Sequence, residues 1–108
     1  MKKGQSYLST VQWFNLYHCL ERTAQLTFYN GFYLVGSAMI HKDFRDIDIR
    51  TVVPFDLLKS NDFTRKSISM WYSEWLTNRI NFTVDFQIQS KEEFESYKGP
   101  RLKIGESY

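Results

Sequence analysis

The sequence predicts an α/β fold of the α+β kind, a small mixed β-sheet backed by helices. Three observations carry that expectation: short β-prone segments alternate with helical periodicities, Phe82 to Gln89 alternates apolar and polar residues without a break, and two long amphipathic stretches offer apolar faces to cover a sheet. At 108 residues there is room for one hydrophobic core, so a single domain over 1–108 is expected. Hydrophobic residues at 43% and aromatics at 18% supply enough apolar surface to offset the entropy of ordering.

The first helix is expected from Ser6 to about Thr23, because Trp13, Leu16, Tyr17, Leu20 and Ala24 recur at helical spacing and Ser6 or Ser9 can cap its start. Asn30-Gly31 signals a turn, and Phe32-Tyr33-Leu34-Val35 reads as a first strand ending at Gly36-Ser37. Ala38 to His41 has length for one helical turn. The run from Asp46 to Val53 alternates at its start and is β-rich at its end, which makes it a second strand stopped by Pro54. Phe55 to Lys59 reads as a further helical turn, and Asn61 or Asp62 can cap a longer helix from about Thr64 to Asn78. Ile68, Trp71, Tyr72, Trp75 and Ile80 give that helix its apolar side, and the three aromatics are assigned to packing. In Phe82 to Gln89, Phe82, Val84, Phe86 and Ile88 share one face while Thr83, Asp85, Gln87 and Gln89 share the other. A short helix near Glu92 to Tyr97 precedes Gly99-Pro100, which leaves Arg101 to Tyr108 as a tail or edge segment. The expected architecture is a sheet backed by the helices of Ser6–Thr23 and Thr64–Asn78, with its acids on the open face.

The formal charge is +2, from 14 basic and 12 acidic residues without a long run of either sign, which argues against a broad polyanion-binding surface and leaves short nucleotides as partners. One cysteine, Cys19, cannot form an internal disulfide and sits in the helical pattern as a small core filler, as suits a reducing cytoplasm. Gly4 to Thr10 is polar where a signal peptide needs an apolar core, and no stretch is long enough to span a bilayer, so a cytoplasmic protein without a membrane partner is expected.

The chemistry is expected at Asp46-Ile47-Asp48. The strand period of two puts both carboxylates on one face and turns Ile47 into the core. Carboxylates held that close raise each other's pKa and call for a cation, a basic partner or a shared proton. Mg²⁺ (or Mn²⁺) suits an open pair, since it takes carboxylate oxygens together with waters and substrate phosphates. Asp85, on the polar face of another strand, is a candidate third ligand, and three acids can hold two metals for phosphoryl or nucleotidyl transfer. Leu34-Val35-Gly36-Ser37 ends a strand in a small-residue turn, where backbone N–H groups and the Ser37 hydroxyl could meet a phosphate.

Leu34-Val35-Gly36-Ser37, eight intervening residues, then Asp46-Ile47-Asp48-Ile49 resembles the signature of the DNA polymerase β-like nucleotidyltransferase superfamily, and Asp85 in Val84-Asp85-Phe86 matches its third acid. The resemblance runs from Phe32 to Gln89, at the short end of the family's Ser-to-Asp spacing, and extends through Arg101 and Gly105 to small nucleotidyltransferase-like proteins of bacteria and phages. It implies a minimal nucleotidyltransferase fold and a metal-dependent enzyme that moves a nucleoside monophosphate from a nucleoside triphosphate to a hydroxyl on protein, RNA or a small molecule. In that family's terms Gly36 and Ser37 would contact the triphosphate, Asp46 and Asp48 would bind the metals, and Asp85 would ligate the catalytic metal and help deprotonate the acceptor. Family members often rely on a further domain to present the acceptor, so a protein partner or a second copy of the chain is implied, and bacterial members of similar size act as antitoxin-like protein modifiers.

Each candidate has a plainer alternative. Asp46 and Asp48 can be solvent-facing strand residues paired with Lys42, Arg45 or Arg50, and Ser37 can be a helix cap. Arg45, Arg50 and Arg101 are candidate phosphate ligands, of which Arg50 shares the strand face of the two acids. His18 is expected in helix packing and His41 in a loop. The rival to an enzyme is a non-catalytic nucleotide- or protein-binding regulatory module on the same fold, and a structural or assembly protein is a third reading.

Overall fold

A computed structural model describes residues 6–26, 31–52 and 62–104. In chain order these form helix α1 (Thr10–Leu26), strand β1 (Phe32–Val35), a 3₁₀ turn (Gly36–Met39), β2 (Ile47–Val52), α2 (Asp62–Ile80), β3 (Val84–Gln89), α3 (Lys91–Ser96) and β4 (Arg101–Lys103). The helical turn expected at Phe55–Lys59, the Pro54 stop, the Asn61 cap and the segment from Gly105 onward lie outside the described residues.

The strands make one mixed sheet in the order β3-β2-β1-β4. β1 runs antiparallel to β2 and β4, whereas β2 and β3 are parallel and are connected through α2, as a parallel pair requires a crossover. Arg101 to Lys103, read as tail or edge, is an edge strand on β1. Alternation explains one face of the sheet: Phe32, Leu34, Ile47, Ile49, Val84, Phe86, Ile88 and Leu102 are buried and join Trp13, Leu16 and Leu20 of α1 and Leu76 and Ile80 of α2 in one core. Thr51, also buried on that face, donates its hydroxyl to the Gly31 carbonyl at 2.7 Å.

Helix α1 starts later than expected because Ser9 and not Ser6 caps it. The Ser9 hydroxyl accepts from Gln12 N–H at 3.0 Å while the Gln12 side chain accepts from Ser9 N–H at 2.9 Å, a reciprocal pair that fixes the first turn. His18, expected to pack, is exposed and stacks on Phe14. On α2 the expected apolar stripe holds at Ile68, Tyr72, Trp75 and Ile80 and departs at one position. Leu76 is fully buried and Tyr72 and Trp75 pack against the core, but Trp71 is 57% exposed, stacked on Trp75 one turn away. Trp71 and Leu76, five residues apart, point to different sides of α2, and it is the side carrying Leu76 that is buried.

The remaining face of α2 closes the edge of the sheet. Ser69, Ser73 and Thr77, spaced one turn apart, accept from Ile88, Phe86 and Val84 N–H at 3.0, 2.8 and 2.9 Å, so the outward amides of β3 find hydroxyls where an edge strand would otherwise need another strand or water. Ser73 and Thr77 also donate to the carbonyls of Phe86 and Val84. Helix and edge strand are thereby held in one register. No helix among the described residues is long and apolar enough to cross a membrane.

Candidate functional site

The parallel pairing of β2 and β3 sets Asp48 directly opposite Asp85, and Arg50 opposite Gln87, on the face away from the core. Asp46 precedes β2 by one residue and is exposed. The antiparallel pairing of β1 and β2 sets Val35 opposite Asp48, which brings the turn at Gly36 against the Asp48 side chain. Gly36 has φ +79°, and a Cβ built on it would run into the Asp48 carboxylate. Glycine is required here on two counts, the left-handed backbone and the close approach of the carboxylate.

Gly36, Asp48 and Arg50 line a hollow of about 230 Å³ whose far wall is Gln87 and Gln89 and whose roof is Phe94 and Tyr97. Ser37 and Asp46 face a neighbouring, more open hollow of about 580 Å³ formed by the loop through His41, Lys42 and Arg45. The expected set is therefore divided. Gly36, Asp48, Arg50 and Asp85 come together on the sheet, and Ser37 and Asp46 stand at its rim. The Ser37 carbonyl accepts from Ile40 and His41 N–H, which ties it into the 3₁₀ turn.

Electrostatics distinguish the two sheet acids. Burial pushes the half-buried Asp48 carboxyl up, with Asp85 and Asp46 adding repulsion and Arg50 opposing them. Asp85 is instead paired: Arg50 Nη2 lies 3.3 Å from its Oδ2, and Arg50 Nη1 donates to the Asp85 and Ile49 carbonyls at 3.0 Å each. Gln87 Nε2 donates to the same Oδ2 at 3.2 Å. Arg50 is thus fixed across both strands with its side chain 15% exposed, while Asp85 is 43% exposed. Among the described residues no three acid, imidazole or thiol groups are drawn together as a ready metal cage. The donor types still fit a hard divalent cation: two carboxylates in register on adjacent strands, one of them raised by its surroundings in the sense that a cation would reverse, with Asp46 at the rim two residues before Asp48.

The roof of the hollow is the short helix expected near Glu92 to Tyr97, and its place over the sheet acids is what the structure adds. Ser90 and Glu93 form a capping box at the start of α3, and Arg65 of α2 holds Glu93 at 2.9 Å, so the short helix is pinned across the sheet face. Phe94 packs on Tyr33, ring centres 4.8 Å apart, and the Arg101 guanidinium lies 4.2 Å from the Phe94 ring while donating to the Phe94 and Tyr97 carbonyls. Arg101, weighed as a phosphate ligand, is engaged in holding this roof. The Tyr97 hydroxyl accepts from Gly36 N–H at 3.2 Å. The capping box was legible in Ser90-Lys91-Glu92-Glu93, but nothing local links Tyr97 to a glycine in another strand's turn.

Comparison with known protein families, with curated proteins and with solved structures gives no match to this chain.

Proposed function

We propose that the protein is a metal-dependent nucleotidyltransferase that moves a nucleoside monophosphate from a nucleoside triphosphate to a hydroxyl acceptor on protein, RNA or a small molecule. The observation that carries this reading is the in-register pair Asp48 and Asp85 on parallel strands, with the Gly36 turn against Asp48. It agrees with the resemblance of Gly36-Ser37, Asp46-Ile47-Asp48 and Asp85 to the polymerase β-like signature.

Asp46, Asp48 and Asp85 are the residues that would hold Mg²⁺ or Mn²⁺, whose contribution is to neutralise phosphate charge and acidify the acceptor hydroxyl. The Gly36 amide and the Ser37 hydroxyl would be donors for phosphate oxygens, and the missing Cβ at Gly36 is what lets the Asp48 carboxylate lie against that turn. Asp85 is the group that would receive the acceptor proton, and Arg50, held beside it by the Asp85 and Ile49 carbonyls, is the candidate to bind a phosphate by its fork of donors.

The test is transfer from each of the four labelled ribonucleoside triphosphates, with Mg²⁺ or Mn²⁺, to host proteins, transfer RNA and the chain itself, wild type against Asp85→Asn. Transfer by the wild type should fall by several orders of magnitude in Asp85→Asn while triphosphate binding is largely kept, because the lost group acts mainly in the transition state. The second reading, a non-catalytic nucleotide- or protein-binding module, is favoured by the Arg50–Asp85 pair, which engages the third acid. Binding of triphosphate and metal with no labelling above the Asp85→Asn background would establish that reading in place of the first.

A further inference from the structure

The Gly36 amide, in the turn that lies against Asp48, is already engaged by a side chain of the same protein. Its hydrogen goes to the Tyr97 hydroxyl at 3.2 Å, over the hollow that Asp48 and Arg50 line. That hydroxyl is lodged between two glycines distant in the chain, since a Cβ built on Gly99 would run into it. The backbone around it is held independently, by Arg101 donating to the Phe94 and Tyr97 carbonyls at 3.0 and 2.7 Å and by the packing of Phe94 on Tyr33. The phenol side chain can therefore rotate away without releasing α3.

We propose that Tyr97 is a displaceable gate on this hollow, its hydroxyl holding the position on the Gly36 amide that a phosphate oxygen of an incoming triphosphate takes. The inference rests on the nucleotidyltransferase reading of the site and adds its regulation: the resting site is closed by a residue of its own chain, and triphosphate opens it. The exchange runs toward the ligand because a phosphate oxygen carries charge and a phenol oxygen does not, so the same N–H forms the stronger bond to phosphate. Without ligand the hydroxyl keeps the amide satisfied and the hollow covered, which avoids an unpaired donor beside the Asp48 carboxylate.

Two substitutions remove the gate by different routes. Tyr97→Phe deletes the hydroxyl and keeps the ring. Gly99→Ala keeps the hydroxyl and drives it off Gly36, the phenol tip being the part that can yield. The full chain is titrated with inorganic triphosphate and Mg²⁺, following the Gly36 amide by ¹⁵N NMR in the wild type, in both variants and in Asp48→Asn. Both gate variants should bind roughly two- to tenfold tighter than the wild type, the range set by removing one competing hydrogen bond. They should also begin with a shifted Gly36 amide. Wild-type binding that neither variant strengthens would overturn the gate and leave the nucleotidyltransferase reading standing, provided Asp48→Asn weakens it. No binding by the wild type or either variant would overturn both. Should Gly99→Ala disturb the helix amides and so fail to fold, Tyr97→Phe decides alone.

Discussion

On the face of the sheet under α1 and α2, alternate residues of all four strands are buried, and the edge of β3 is sealed by hydroxyls from Ser69, Ser73 and Thr77. On the opposite face the intervening residues are Asp48, Arg50 and Val52 of β2 and Asp85, Gln87 and Gln89 of β3, with Phe94 of α3 and Tyr97 over the hollow there. The same strands thus present two unlike faces that the period of two keeps apart. A slip of one residue would exchange the faces, so the apolar set fixes the register and the charged set is carried into position with it. Substitutions on the covered face should cost stability. Substitutions of the acids should cost function and leave stability intact or improved.

The sharpest break of the covered face is Phe86→Ala. Phe86 is 1% exposed and touches both Phe32 and Tyr72, with ring centres 5.8 and 5.0 Å away. Its truncation should lower unfolding free energy by about 3–5 kcal/mol, read from the urea midpoint. A cost under about 1 kcal/mol would mean that this face is not close-packed. Ser73→Ala is smaller and tests the sealed edge, because it strands both the N–H and the carbonyl of Phe86 that Ser73 serves at 2.8 and 3.2 Å. The expected loss is about 1–3 kcal/mol, with faster hydrogen exchange at the Phe86 amide. A neutral result would show that water replaces the hydroxyl and that α2 is held by apolar packing alone.

The two faces were unequally legible in the sequence. β1 was read with its observed limits, β2 and β3 to within one or two residues, and the division of β3 into apolar and polar faces was correct, because alternation is a local signal that burial enforces. The short edge strand β4 was left open, since three residues carry no periodicity and their pairing with β1 depends on contacts distant in the chain. Trp71 fits the helical spacing of the apolar stripe yet is exposed, whereas Leu76, on another side of α2, is buried: the spacing defines a broad apolar side and only packing sets its limits. Within the site, the sharing of one face by Asp46 and Asp48 followed from spacing, and their adjacency to Asp85 required a parallel register that no local pattern specifies. The Gly36 turn was found for its small residues, yet the observed reason for glycine includes Asp48 itself. Tyr97 was missed entirely, as contacts between remote segments are.

The smallest effect, and the most discriminating one, concerns two carboxylates with opposite surroundings. Asp48 is raised from the ordinary carboxylate range, chiefly by burial, whereas Glu93 is lowered, first by the hydrogen bond from the Ser90 backbone and then by Arg65. For Asp48 the folded state holds its proton to higher pH than the unfolded chain, so stability falls as pH rises from the unfolded value through the folded one, and the full cost is present at neutral pH. For Glu93 the sign is reversed: its contribution is present above the unfolded value and is lost as pH falls through the lowered one. Asp48→Asn should therefore raise the Tm at pH 7, and Glu93→Gln should lower it. Both shifts should amount to about a few degrees or less, because neither group is fully buried, and both should close toward zero as the carboxylates protonate in acid. Mg²⁺ should then raise the Tm of the wild type more than that of Asp48→Asn, since a cation at the acids binds only the folded chain. If Asp48→Asn instead destabilises the protein at pH 7, Asp48 is serving the fold, and the separation of a stabilising face from a chemical face fails at its central residue.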